Sequence, residues 1–219
     1  MPVFDPELLT AYIVAALALS ASPGPDMLFC FATGVAHGAR GGLAAALGIF
    51  LGLVVHAGAM TLGLASLVAA SPLAFEVIRW AGAAYLVWIA VQTFRSAPIS
   101  LPAEGTDVSG RLEAGGFAAV VRRGFITCVL NPKLILFLLS FLPQFIRPEA
   151  GPVAVQTLML CLILVVPGFA INLAVGLSGG GLARWLRRHP FWVRAQNWFL
   201  GAVFLGLAAR LLWSARSAA

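Results

Sequence analysis

Two ionisable residues stand directly behind a proline, deep inside apolar runs. Asp26 ends the stretch Ser22-Pro23-Gly24-Pro25-Asp26, and Lys133 ends Asn131-Pro132-Lys133. Proline removes a backbone donor and clashes with the preceding turn, so no regular helix runs straight through either site. Each charge is expected to open a new half-helix. There a carboxylate is favoured by the positive end of the helix dipole and an ammonium is disfavoured. Charges at such depth are costly and usually functional. Lys133 therefore calls for an anion, either Asp26 or the carboxylate of a bound molecule. Asp26 could hold an ammonium or carry a coupling proton. Together the two suit a zwitterion. The plainer alternatives are a cap for the half-helix at Asp26 and a fixed Asp26–Lys133 pair.

Other polar residues group around these two. Gly24, Pro25, Asn131 and Pro132 form the breaks themselves. Cys30, Thr33 and His37 follow Asp26 on one helical face. Gly124, Thr127 and Asn131 make a similar face before Lys133. Either face could line a pathway or simply pack, and His37 is expected near the membrane surface. His56 lies in mid-segment. It could relay protons or, more plainly, bond a backbone carbonyl as a neutral ring. Gln156 and Asn172, flanking Pro167-Gly168, are weaker pathway candidates. Cys30, Cys128 and Cys161 form no C-x-x-C pair and read as small buried hydrophobes. No metal or cofactor is expected, since no metal-binding, nucleotide or dinucleotide motif is present.

The elements that must carry these residues follow from composition. Of 219 residues, 61% are hydrophobic and 10% charged. Soluble domains have roughly 25% charged residues, so lipid is the natural solvent for the excess. A span needs roughly 20 apolar residues, and six segments qualify: 8–36, 42–69, 73–94, 124–145, 153–177 and 191–213. The first is read as a span and not a cleaved signal, because Asp5 and Glu7 precede it where basic residues would be needed. Gly48-x-x-x-Gly52 and Ala81-Gly82-Ala83-Ala84 read as close-packing surfaces. The Trp residues fit interfacial or packing roles. Arg residues gather in the odd-numbered loops (Arg40; Arg95, Arg111, Arg122 and Arg123; Arg184, Arg187 and Arg188), which puts those loops in the cytoplasm and both termini outside. Nucleic acid is not an expected partner, because the basic residues make no patch on a soluble face.

The breaks are related by an offset of 107 residues, close to half the chain. Each opens a three-span half, residues 1–95 and 124–219, joined by a cytoplasmic loop over 96–123. Three spans is an odd number, so the halves must lie in opposite senses. The expected fold is an all-α polytopic membrane protein of six helices in two inverted repeats, each with a broken first helix. Such repeats typify secondary transporters.

These motifs also carry a resemblance. Ser22-Pro23-Gly24-Pro25-Asp26, the glycine-spaced stretch from Gly34 to Gly63, Ala81-Gly82-Ala83-Ala84-Tyr85-Leu86, and the run from Gly124 to Asn131-Pro132-Lys133 resemble the lysine exporter family. The closer likeness is to its homoserine/threonine exporter branch, the LysE/RhtB type. The resemblance covers nearly the whole chain. It implies an inner-membrane exporter of an amino acid or similar metabolite, driven by protons, and leaves the cargo and any homo-oligomer open. Two other functions compete. An intramembrane enzyme would use Asp26 or His56 as catalyst. An inorganic-ion or metal carrier would need more carboxylates, since hard cations take several oxygen ligands.

Overall fold

The computed structural model describes Phe4, residues 6–22, 24–71 and 116–178, and scattered positions within 73–91 and 191–206. The expected third and sixth spans fall largely outside the described residues, as does most of the loop between the halves. All regular elements among the described residues are helical. Helix α1 is Pro6–Ala21, α2 is Pro25–Ala70, α3 is Gly116–Val129, α4 is Pro132–Phe141 and α5 is Val153–Leu177. Two 3-10 turns, Leu142–Phe145 and Pro148–Ala150, join α4 to α5. Helices are the natural outcome in lipid, where each backbone group must find its partner within the segment. The hydroxyls obey the same rule: Thr10, Ser20, Thr33, Thr61, Ser66 and Thr157 each donate to the carbonyl four residues earlier.

Helix α2 has 46 residues, or about 69 Å at 1.5 Å per residue, more than twice a hydrocarbon core of about 30 Å. It does not run straight. Gly38 has φ 62° and ψ −162°, a conformation that favours glycine. The chain doubles back there, because Gly34 and Gly42 press against the same residue, Gly176. The turn falls in the gap expected between the first and second spans.

Contacts along the helices fix their directions. Tyr12 of α1 bonds the Leu160 carbonyl near the start of α5. Ser20 lies beside Gly168, and Gly34 beside Gly176. The broken pair of α1 and the first arm of α2 therefore runs parallel to α5 for most of its length. In the second arm of α2, Gly48 packs on Val121 and Gly124, and Gly52 on Cys128. That arm runs parallel to α3. Helix α3 then breaks, and α4 leaves at a bend of 45° to end at Tyr12, whose ring stacks 5.6 Å from Phe141. The two broken helices thus run in opposite directions, with their breaks level.

Among the described residues, α2 and α5 are long and apolar enough to cross a membrane, and the bent pair of α3 and Pro132–Phe145 makes a third if taken as one span. Leu51, Val54, Val55 and Leu62 on α2, and Val155, Leu158, Leu162 and Val166 on α5, form exposed apolar stripes at helical spacing. Outward stripes of this kind suit lipid and not water. One boundary shifts from the expected position. Helix α3 starts at Gly116, so residues 116–123 are helix and not loop. Val120 anchors this extra turn in the core while Arg122 and Arg123 stay exposed.

Candidate functional site

Both expected helix breaks exist, and they are built alike. Gly24 caps α2 in an extended conformation, Pro25 is its first residue and Asp26 its second. Asn131 caps α4, Pro132 is its first residue and Lys133 its second. Proline suits a first position, where its missing N–H would have no helical partner. The two caps differ in one respect. Asn131 is buried, and its side-chain oxygen accepts from the Lys133 amide at 3.1 Å. Gly24 has no side chain to cap with. Lys133 takes the space this leaves: a Cβ on Gly24 would lie 3.6 Å from both Cδ and Nζ of Lys133.

Between the breaks lies a partly open cavity of about 50 Å³. Gly24, Asp26, Asn131 and Lys133 all line it. Leu19, Met27, Leu53, Leu134 and Leu164 supply apolar walls. Asp26 and Lys133 do not close an ion pair across it. Lys133 Nζ donates instead to the Ser22 carbonyl at 3.2 Å, an acceptor set loose by the break. Asp26 keeps one carboxylate oxygen, Oδ1, buried with no hydrogen-bond partner. Asn131, Cys128, Lys133 and His56 are the polar groups around that carboxylate. The fixed-pair alternative is therefore not the arrangement found. A free carbonyl at closer reach satisfies the ammonium, and the carboxylate remains available.

The other candidates are spread more widely. His56 Nε2 lies 3.2 Å from the Cys128 carbonyl, just behind the second break. Thr33 is fully buried, with its hydroxyl on the Phe29 carbonyl at 2.7 Å. Thr127 is half-buried. Neither threonine lines the cavity. Gly124 packs against Ala45 and Gly48. Asn172 does line the cavity. Gln156 does not; it staples the turn before α5, accepting from the Arg147 amide and donating to the Arg147 and Gly151 carbonyls. The Lys133 amide is taken by the Asn131 side chain and is not free for a ligand. Among the described residues no group of His, Cys, Asp and Glu is placed to hold a metal ion.

A family model described as LysE type translocator matches residues 17–215, which include both breaks. The chain belongs to the LysE-type translocator family. Its curated relatives include the homoserine/homoserine lactone efflux protein of Salmonella typhimurium, 33% identical over 208 residues, or 95% of this chain and 97% of that one. The leucine efflux protein of Klebsiella pneumoniae is 34% identical over 206 residues, covering 91% and 92%. An uncharacterized membrane protein of Vibrio cholerae is 32% identical over 202 residues. No solved structure matches the chain. Members of the LysE-type family are translocators, which sets the enzyme alternative aside. This LysE-type chain has cavity residues that sequence reasoning passed over: Ser20, Leu53 and Leu164. Each sits within an unbroken apolar run, where no motif distinguishes it. Tyr12 was also missed. Its hydroxyl reaches a carbonyl 148 residues away.

Proposed function

We propose that this protein is an inner-membrane secondary transporter that exports an amino acid or close analogue in exchange for protons. The observation that carries the reading is the shared cavity, into which one acid and one base project from two breaks in antiparallel helices. A free amino acid carries one ammonium and one carboxylate. Its ammonium would meet Asp26, whose Oδ1 has no partner. Its carboxylate would draw Lys133 away from the Ser22 carbonyl, replacing a neutral acceptor by a charged one. Such charge-assisted bonds are roughly twice as strong as neutral ones. Protonation of Asp26 from outside would weaken its hold on the ammonium and favour release, which couples the two flows. Two inverted three-helix halves rocking about these breaks would alternate access. The efflux names of the relatives support the direction of transport.

Cells with and without the protein, challenged with toxic amino acids and analogues, test the function. Expression should raise tolerance to at least one of them. Asp26→Asn and Lys133→Met should each abolish export while the protein still reaches the membrane. Wild-type export by either variant would remove that residue from the site, and tolerance unchanged across the panel would remove the exporter reading.

A further inference from the structure

Asn172 sits on α5 one turn beyond Gly168 and is 6% exposed. Its amide nitrogen donates to the Gly168 carbonyl at 2.8 Å. That bond fixes which end of the amide is which, since a carbonyl must be met by the NH₂. The oxygen is left over. Asn172 Oδ1 is buried without a hydrogen-bond partner, and the residue lines the cavity between the breaks. Ser20 faces the same part of the wall, 3.7 Å from where a Cβ on Gly168 would stand. Its hydroxyl proton is already committed to the Ala16 carbonyl at 2.7 Å. Both side chains have thus directed donors to carbonyls of their own helices, and each has an oxygen left to accept.

We propose that Asn172, supported by Ser20, is a specificity-determining residue that accepts a hydrogen bond from the side chain of the cargo. The cavity then favours an amino acid with a short hydroxylated side chain over the aliphatic analogue of the same shape. This rests on the exporter reading, in which Asp26 and Lys133 hold the two charged ends and only the side chain remains to be recognised. A buried acceptor left unpaired is costly, so a site containing one discriminates against ligands that cannot donate to it. The neighbouring wall sets the size. Leu53 and Leu164 are apolar, and a Cβ on Gly168 would come within 3.4 Å of Leu53 Cδ1, so the notch beside Ser20 is narrow. Asp26 is the only acid lining the cavity among the described residues. A cationic side chain therefore finds no second counter-charge, and an anionic one meets the unpartnered Asn172 oxygen.

Proteoliposomes containing the full chain test this by counterflow of homoserine against norvaline, in which a methyl replaces the hydroxyl. The wild type should prefer homoserine by about tenfold. Asn172→Leu should bring the ratio to about one, by losing homoserine transport while norvaline transport persists. Ser20→Ala should lower the ratio about threefold. An unchanged ratio in Asn172→Leu overturns the assignment, as does equal wild-type transport of the two. If Asn172→Leu moves neither, Ser20→Ala decides: an unchanged ratio there overturns it. Wild-type transport of other amino acids but of neither of these overturns this inference alone. Transport of no amino acid at all overturns the exporter reading with it.

Discussion

Pro132 leaves the Cys128 carbonyl, four residues earlier, without its helical donor. Two other donors take over: the Asn131 amide at 3.0 Å and His56 Nε2 at 3.2 Å. His56 is therefore a tie between α2 and the second break, with its proton on Nε2 in this arrangement. Glutamine can make the same bond. His56→Gln should keep export and thermal stability near wild type, whereas His56→Leu should lose about 0.5–1.5 kcal/mol by removing one of the carbonyl's two donors. Export rates and unfolding midpoints in detergent check both. A stably folded His56→Gln that no longer exports would instead make the ring a proton carrier. At this scale the sequence was half legible. Proline beside a deep charge identified Asp26 and Lys133, because both the break and the burial cost are local. The partners were not legible. Charge logic offered Lys133 either Asp26 or a bound carboxylate, while the structure, which holds no ligand, places it on the Ser22 carbonyl, 111 residues away. Which carbonyl a break frees, and what reaches it, depends on how distant helices meet.

The helices meet at glycines. A Cβ on Gly34 would stand 2.2 Å from the Gly176 carbonyl oxygen, and one on Gly42 2.1 Å from it. Gly48 presses on the Val121 carbonyl in the same way. Lipid tails are as apolar as the side chains, so association in the membrane depends on such close backbone approach. The sequence displayed the glycine spacing of α2 and its packing purpose, but not its partners. It gave no hint that Gly176, far from the α2 glycines in the chain, would meet them. Gly42→Val should push α5 away from both arms of α2 and break the triple contact. Little folded protein should survive extraction, measured as the monodisperse fraction in size-exclusion chromatography. Gly58→Ala is the control: nothing lies within 4 Å of a Cβ there, and alanine is the better helix former by up to about 1 kcal/mol. It should elute as wild type does. Equal recovery of the two variants would refute the packing argument.

Across the whole molecule, the same contacts gather the basic connections at one end. The Gly38 turn with Arg40, the start of α3 with Arg122 and Arg123, and the end of α5 at Leu177 all lie toward that side, since Gly42 meets Gly176 and Gly48 meets Val121. Arg184, Arg187 and Arg188 follow Leu177 in the chain. The start of α1, the end of α4 and the start of α5 lie at the other end, where Tyr12 meets Phe141 and Leu160. That end carries Arg147, offset by Glu149 at 3.7 Å. The loop-by-loop count of Arg, made without any structure, and the helix directions agree on which connections share a side. They agree because charge placement and helix direction are both written segment by segment, whereas helix partners are not. The course of α1 and the first arm of α2 along α5 is that of a broken span and not of a re-entrant loop. Basic loops stay cytoplasmic, so the end with Arg40, Arg122 and Arg123 should face the cytoplasm. One further span in each half would then put both termini outside. A cytoplasm-active reporter inserted in the 96–115 loop should be active, while the same reporter fused after Ala219 should be silent and a periplasm-active one there should work. A cytoplasmic C-terminus would leave the second half with an even number of crossings, and an inverted repeat of three and three could not stand.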